Sequence, residues 1–215
     1  MIRAVLFDLD GTLADTAPDL TYALNQVRGA RGLPPVPLAA TRPYASQGAR
    51  GLIGVGFNLT PGDSGYDALR DEFLAHYAAN LRRETCLFAG IPGLLDRLEA
   101  RGLPWGVVTN KAERFTLPLL DLLEVRSRAA CVIGGDTTGK IKPDPEPLLA
   151  ASRALQLAPD ACIYLGDDER DVQAGRAAGM TTAIAMWGYL NGQAPETWNA
   201  DIKLEQPLDL LRFLD

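Results

Sequence analysis

The chain has 215 residues, of which 47% are hydrophobic and 22% charged, with a formal net charge of -6. That length suits one large domain or two modest ones, and the acidic balance, with a sequence pI near 4.9, argues against a nucleic-acid binder, which needs a basic face. No apolar run reaches the ~18 residues that cross a bilayer, the N-terminus begins on a strand pattern and not on a signal peptide, and the three cysteines, Cys86, Cys131 and Cys162, fit no disulfide framework, so a reducing, cytoplasmic setting is expected.

In chain order, residues 3–7 (RAVLF) read as a short buried strand and residues 18–31 as a helix, with Pro18 in its first turn and Gly32 past its end. After the turn LPPVP, residues 38–81 carry helical spacing and no convincing strand, and Gly65–Leu81 is amphipathic. From Phe88 the rhythm changes. A helix at Pro92–Gly102 leads to a strand at Trp105–Thr109, then to a helix near 112–124 that Pro118 is expected to kink. Strands follow at Ala129–Ile133, Ala161–Gly166 and TTAIAM, with helices in PEPLLAASRALQL, ERDVQAGRAAG and, closing the chain, PLDLLRFL. Short, continuously apolar strands alternating with helices indicate a parallel sheet covered on both faces. The expected fold class is therefore α/β. A doubly wound, Rossmann-like core takes residues 1–15 and 85–215, and an inserted helical cap takes residues 16–84.

In open parallel sheets, ligands bind beyond the carboxyl ends of the strands. The first strand is followed by Asp8, Asp10, Gly11 and Thr12, the second by Thr109, Asn110 and Lys111, the third by a loop with Lys140 and Lys142, and the fourth by Asp167, Asp168, Glu169 and Asp171. All four clusters should meet on one edge. A phosphate monoester is a dianion, and two unit charges ~4 Å apart repel by roughly 4 kcal/mol at an effective dielectric of 20. A carboxylate nucleophile therefore needs a cation beside it. Magnesium takes oxygen ligands and needs only one or two protein carboxylates, for which Asp8 and Asp167 are the natural pair. Lys142 adds fixed positive charge, and the Thr109 hydroxyl and free backbone N–H groups around Leu9–Gly11 can bind phosphoryl oxygens. Residues two apart on an extended backbone face one side, so Asp8 can attack phosphorus while Asp10 moves the proton. Gly11 permits the tight turn, and Thr12 supports it.

The stretches VLFDLDGTLADT, VVTNK, IKPDPEP and GDDERD resemble the four ordered motifs of the haloacid dehalogenase superfamily, over residues 2–188. The resemblance implies Asp8 as nucleophile, Asp10 as general acid and base whose main-chain carbonyl also binds the metal, and Thr109 as a phosphate ligand. It further implies Lys142 as a stabiliser of nucleophile and phosphate, Asp167 as a magnesium ligand and Asp171 as a supporting acid. Within the superfamily the chain looks like the phosphoglycolate phosphatase group and is also similar to N-acetylmuramic acid 6-phosphate phosphatases. The expected activity is magnesium-dependent hydrolysis of a small phosphomonoester, with no nucleic acid or membrane partner, by a monomer. A phosphomutase would share every core residue, and a phospho-receiver signalling domain also holds an aspartate, a threonine and a lysine at strand ends.

In the insert, Arg42, Ser46, Gln47 and Arg50 are candidates for substrate contact, with Asn110 added from the core. Lys111 and Lys140 are read as surface lysines, His76 as having no catalytic role, and Trp187 and Tyr189 as packing residues. Asp15, with Thr16, is expected to cap the first helix of the insert.

Overall fold

The structure, a computed structural model, describes residues 1–214. Six parallel strands form the main sheet: β1 (Ala4–Phe7), β4 (Trp105–Val108), β5 (Cys131–Ile133), β6 (Cys162–Gly166), β7 (Thr181–Ala185) and β8 (Ile202–Leu204), in the order β5-β4-β1-β6-β7-β8. Side chains alternate across this sheet. Val5 and Phe7 of β1 pack into one core with α5 (Ile91–Ala100) and α6 (Glu113–Leu122), whereas Ala4 and Leu6 pack into a second core with α7 (Glu146–Ala154) and α8 (Glu169–Ala178). Both faces are thus buried, and the strands can be apolar at every position. β1 lies between β4 and β6, in register Val5 with Trp105 and Ile163. The chain winds to one side of β1 first and to the other later, which opens a crevice at the carboxyl end of β1.

A second, two-stranded antiparallel ladder joins β2 (Ala14–Asp15) to β3 (Cys86–Leu87). Between these strands run α1 (Ala17–Gly29), α2 (Leu38–Thr41), a 3₁₀ segment (Arg42–Gln47), α3 (Gly48–Phe57) and α4 (Tyr66–Ala78). Their buried faces meet through Leu20, Leu24, Leu52, Ile53, Phe73 and Tyr77. The return to the sheet is tied down by Asp19, whose buried carboxylate accepts the backbone N–H groups of Arg83 at 2.9 Å and Thr85 at 2.9 Å.

Several details differ from the sequence expectations. The ladder strands and β8 are two or three residues long, too short for a period to register. The closing segment Pro207–Phe213 is a 3₁₀ helix and not an α-helix. It has seven residues, longer than 3₁₀ runs usually are. Pro118 lies inside α6, which is continuous from Glu113 to Leu122. Thr16 gives α1 no side-chain cap. Instead the Tyr189 hydroxyl accepts the N–H groups of Thr16 and Ala17 at 2.8 and 2.9 Å and donates to Asp15 at 2.9 Å. A tyrosine from beyond β7 therefore fills the orphan positions at the helix start.

Candidate active site

The loop after β1 is wound tightly. The amides of Leu13 and Ala14 converge on the Leu9 carbonyl at 3.1 and 2.9 Å, and Gly11 N–H donates to the Ala14 carbonyl at 3.0 Å. That amide is therefore engaged, unlike the free N–H expected there. Gly11 has φ +89°, and a Cβ on it would lie 2.2 Å from Asp167 Oδ2. Glycine is required both by the left-handed backbone and by the approach of the carboxylate. Gly188 closes on Asp167 from the other side, where a Cβ would meet that residue's Cβ at 2.3 Å.

Around this loop the four strand-end clusters do converge. Lys142 Nζ donates to Asp8 Oδ1 at 2.8 Å, Asp171 Oδ1 at 2.7 Å, the Tyr164 hydroxyl at 2.7 Å and the Val108 carbonyl at 3.2 Å. Asp8, Lys142, Asp167 and Asp171 are all buried. Thr12 Oγ1 and Tyr189 N–H donate to Asp167 at 3.0 and 2.9 Å. Asp171 also accepts the Asp168 N–H at 3.1 Å as part of a capping box that starts α8, so one acid both begins the helix and holds the lysine. Thr109 is buried at the end of β4.

Burial pushes Asp8 up to about 6, with Asp171 and Asp10 adding to the rise and Lys142 offsetting part of it. Burial, with Asp8 and Asp171 nearby, also raises Asp167 well above the usual carboxylate range. Burial alone would lower Lys142, yet Asp171 and Asp8 hold it above its ordinary value. One lysine thus faces more negative charge than it neutralises. Carboxylate oxygens of Asp8, Asp167 and Asp171 lie within 4.8 Å of one another. Desolvated, all-oxygen and anionic, this set fits a hard divalent cation. Asp171 is nearer to it than the sequence reading of a supporting acid implied.

A cavity of about 410 Å³ opens over these residues. Its lining includes Asp8, Asp10, Thr109, Asn110, Lys142, Ser46, Gln47 and Arg50 from the expected set. Arg42 is not among them. Its guanidinium grips Asp15 through two bonds of 3.0 and 2.9 Å and lies over the Tyr189 ring, so it is committed to packing. Asn110 is also committed: its side chain accepts Lys142 N–H at 2.8 Å and donates to the Lys142 carbonyl at 3.0 Å. It holds the lysine's backbone and leaves little for a ligand. Ser46 Oγ reaches the Asp10 carbonyl at 3.2 Å and Asp167 Oδ2 at 3.3 Å, and Gln47 donates to Asn191 at 3.1 Å. Arg50 has no ion-pair partner among the described residues.

Lys111 is the clearest departure from the sequence reading. It is no surface lysine: its side chain is 8% exposed and its Nζ lies 3.0 and 3.3 Å from the two Asp10 carboxylate oxygens. Thr16 Oγ1 donates to the same carboxylate at 2.5 Å. Tyr77, Arg114 and Arg170 also line the cavity, and Tyr164 supports Lys142 beneath it. The sequence offered one signal for these, the position of Lys111 directly after Thr109 and Asn110. Asp168 is taken up by Arg170 at 2.7 Å and by Asn191, and Lys140 is a solvated loop lysine as expected.

Residues 5–185 match the model of the haloacid dehalogenase-like hydrolase family. The chain belongs to that family. It is 46% identical over 209 residues, 97% of this chain and 94% of the relative, to a phosphoglycolate phosphatase of Xanthomonas campestris pv. campestris (strain 8004). It is 41% identical over 215 residues, 100% of this chain and 96% of the relative, to an N-acetylmuramic acid 6-phosphate phosphatase of Pseudomonas putida. A crystal structure from Haemophilus somnus 129pt has the same fold, with a TM-score of 0.89 at 24% identity over 100% of this chain and 98% of that one. Phosphatases of this family generally use a divalent metal, which the buried acid cluster suits. Among the described residues no helix is long and apolar enough to cross a membrane.

Proposed function

We propose that this hydrolase is a magnesium-dependent phosphatase of small phosphorylated metabolites, of 2-phosphoglycolate type, working through an aspartyl phosphate on Asp8. The observation that carries this reading is the placement of Asp8 at the end of β1, 2.8 Å from Lys142 Nζ, in a buried cluster with Asp167 and with Asp10 two residues on. Asp8 Oδ attacks phosphorus and the ester P–O bond breaks, while Asp10 hands a proton to the leaving oxygen. Asp10 then takes a proton from water, the water oxygen attacks phosphorus, and the bond to Asp8 breaks to release phosphate. Lys142 holds Asp8 in place and neutralises charge, and Thr109, which lines the cavity, supplies a hydroxyl that can donate to a phosphoryl oxygen. Magnesium held by Asp8, Asp167 and the Asp10 carbonyl, with Asp171 beside them, would supply the charge that lets a carboxylate approach a dianion. The resemblance to relatives of named activity supports the class. In the same reading it is a cytoplasmic monomer, in keeping with three free cysteines.

A second reading, N-acetylmuramate 6-phosphate or another sugar phosphate as substrate, is favoured by the cavity of about 410 Å³ with aromatic residues Phe73, Tyr77 and Phe115 in its lining. Phosphate release from 2-phosphoglycolate and from N-acetylmuramate 6-phosphate, with and without magnesium, ranks the two readings. Asp8→Asn is expected to lower release by a factor on the order of 10⁴ or more. Undiminished magnesium-dependent release would remove Asp8 as nucleophile, and turnover without free phosphate would indicate a phosphomutase.

A further inference from the structure

Lys111 has no part in the hydrolytic steps, yet both of its ends are fixed. Its backbone forms the turn after β4. The N–H donates to Thr109 Oγ1 at 3.2 Å, and the carbonyl accepts the Gly135 N–H at 2.8 Å and the Thr116 hydroxyl at 2.9 Å. Glycine is required at 135, because a Cβ there would lie 2.2 Å from the Asn110 carbonyl oxygen. The ammonium is covered from the insert by Tyr77 of α4, whose ring centre is 4.5 Å from Nζ. That cation–π contact gains strength where water is excluded, and the Lys111 side chain is only 8% exposed. On its other side stands Asp10, and the two carboxylate oxygens of Asp10 are not equivalent. Oδ1 accepts Lys111 Nζ at 3.0 Å and the Thr16 hydroxyl at 2.5 Å. Oδ2 has only Lys111, at 3.3 Å, among the described residues.

We propose that Lys111 is a positioning residue for proton transfer: with Thr16 it fixes Asp10 Oδ1, which assigns Oδ2 as the oxygen that gives a proton to the leaving group and then takes one from water. This rests on the phosphatase reading. A free aspartate side chain swings between rotamers, and a general acid or base works only within about 2.6–3.2 Å of its partner. Two donors on one oxygen, one rooted after β4 and the other just before α1, stop that swing before a substrate arrives. A proton on Oδ2 disturbs only the 3.3 Å contact and leaves Oδ1 with both donors. The same mounting therefore serves the acid and the base half of the cycle. In the first half the proton passes from Oδ2 to the ester oxygen as the P–O bond breaks. In the second a water proton passes to Oδ2 as the water oxygen bonds to phosphorus and the bond from phosphorus to Asp8 breaks. Lys111 keeps its own protons throughout.

The test compares two small substrates with the full-length protein and magnesium. 2-Phosphoglycolate expels an alkoxide, which must be protonated as it leaves. Acetyl phosphate expels acetate, which leaves without a proton. Lys111→Met keeps the stem and removes the ammonium. Its kcat/KM is expected to fall about a hundredfold for 2-phosphoglycolate and less than about threefold for acetyl phosphate. Its kcat should fall for both, because the water step still needs Oδ2, and phosphorylated protein should accumulate in acid-quenched samples. In an Asp10→Asn background, Lys111→Met should leave the ratio of the two substrates where Asp10→Asn put it. Thr16→Val strips the other donor from Oδ1 and should shift the ratio in the same direction, which decides the matter if Lys111→Met does not fold. A lysine that only stabilises the fold predicts equal losses of kcat/KM for both substrates with a lower melting temperature. A lysine that grips the substrate carboxylate predicts a loss for 2-phosphoglycolate that persists in the Asp10→Asn background. Either result overturns the proposal. Hydrolysis of neither substrate by the wild type would instead bring down the phosphatase reading, and the proposal with it.

Discussion

The two walls of the cavity are built on opposite plans. On the sheet side, Lys142 has four hydrogen-bond partners, and every acid around it is fixed by a backbone amide, a hydroxyl or the lysine. On the helical side, Arg50 is exposed and free of ion pairs among the described residues. Fixed dipoles and charges need no rearrangement at the moment of reaction, whereas unsatisfied donors are satisfied only by what enters. The sheet side is suited to one fixed chemistry and the helical side to choosing among substrates.

The strongest way to break the sheet side is Lys142→Met. It leaves buried Asp8 and Asp171 without their shared cation, and removing one partner of a buried pair costs about 3–5 kcal/mol. Denaturant unfolding should show a loss of that size, accompanied by loss of phosphate release. A variant of unchanged stability would mean the cluster is wetter than its burial implies.

Proton linkage probes the same wall without mutation. Asp8, pushed up to about 6, and the raised Asp167 hold protons that a cation must displace. Magnesium affinity should therefore rise with pH through about 6, with proton release accompanying binding at that pH, measurable by calorimetry in buffers of different ionisation enthalpy. The sign for the metal-free fold is opposite. The unfolded chain gives up the Asp8 proton near 3.8 and the folded chain near 6, so this group's contribution to stability falls as pH rises across that window. Affinity independent of pH between 5 and 8 would separate the metal from these acids.

Tyr189→Phe tests the join between the walls. It strips the partner from the Thr16 and Ala17 amides, and about 1–3 kcal/mol of stability should go with it, read by urea unfolding. The smallest effects separate two arginines. Arg50→Ala should raise KM about tenfold, as expected for losing a charged hydrogen bond, whereas Arg42→Ala, whose partner is Asp15, should cost under about 1 kcal/mol of stability and leave KM nearly as it was. Equal effects on KM would mean both arginines reach the substrate.

What could be read in the sequence divides along the same line. Asp8, Asp10, Thr109 and Asp167 stand at or just past the ends of apolar runs that declare themselves strands, Lys142 lies in the loop beyond another, and the topology of a parallel sheet then gathers them. The role of Lys111 is hidden in the sequence because it depends on a contact across 101 residues of chain, and Tyr189, a packing residue as expected, adds hydrogen bonds across 172 to 174 residues that no spacing announces. A lysine in the turn after a strand looks solvated until the loop after β1 is folded beneath it. Tyr77 carries a core spacing that hides its hydroxyl. Arg42 and Arg50 are alike in composition, and only the packing of the 3₁₀ segment decides which of them is spent on Asp15.

The central claim is that phosphorus passes through Asp8. Mixing the wild-type protein with substrate and magnesium, quenching in acid within a turnover, and mapping the phosphoryl group by mass spectrometry tests it directly. The account predicts an acid-stable, hydroxylamine-sensitive phosphoryl group on the peptide carrying Asp8, absent in Asp8→Asn. A phosphoryl group on any other residue, or full turnover by Asp8→Asn, would contradict it.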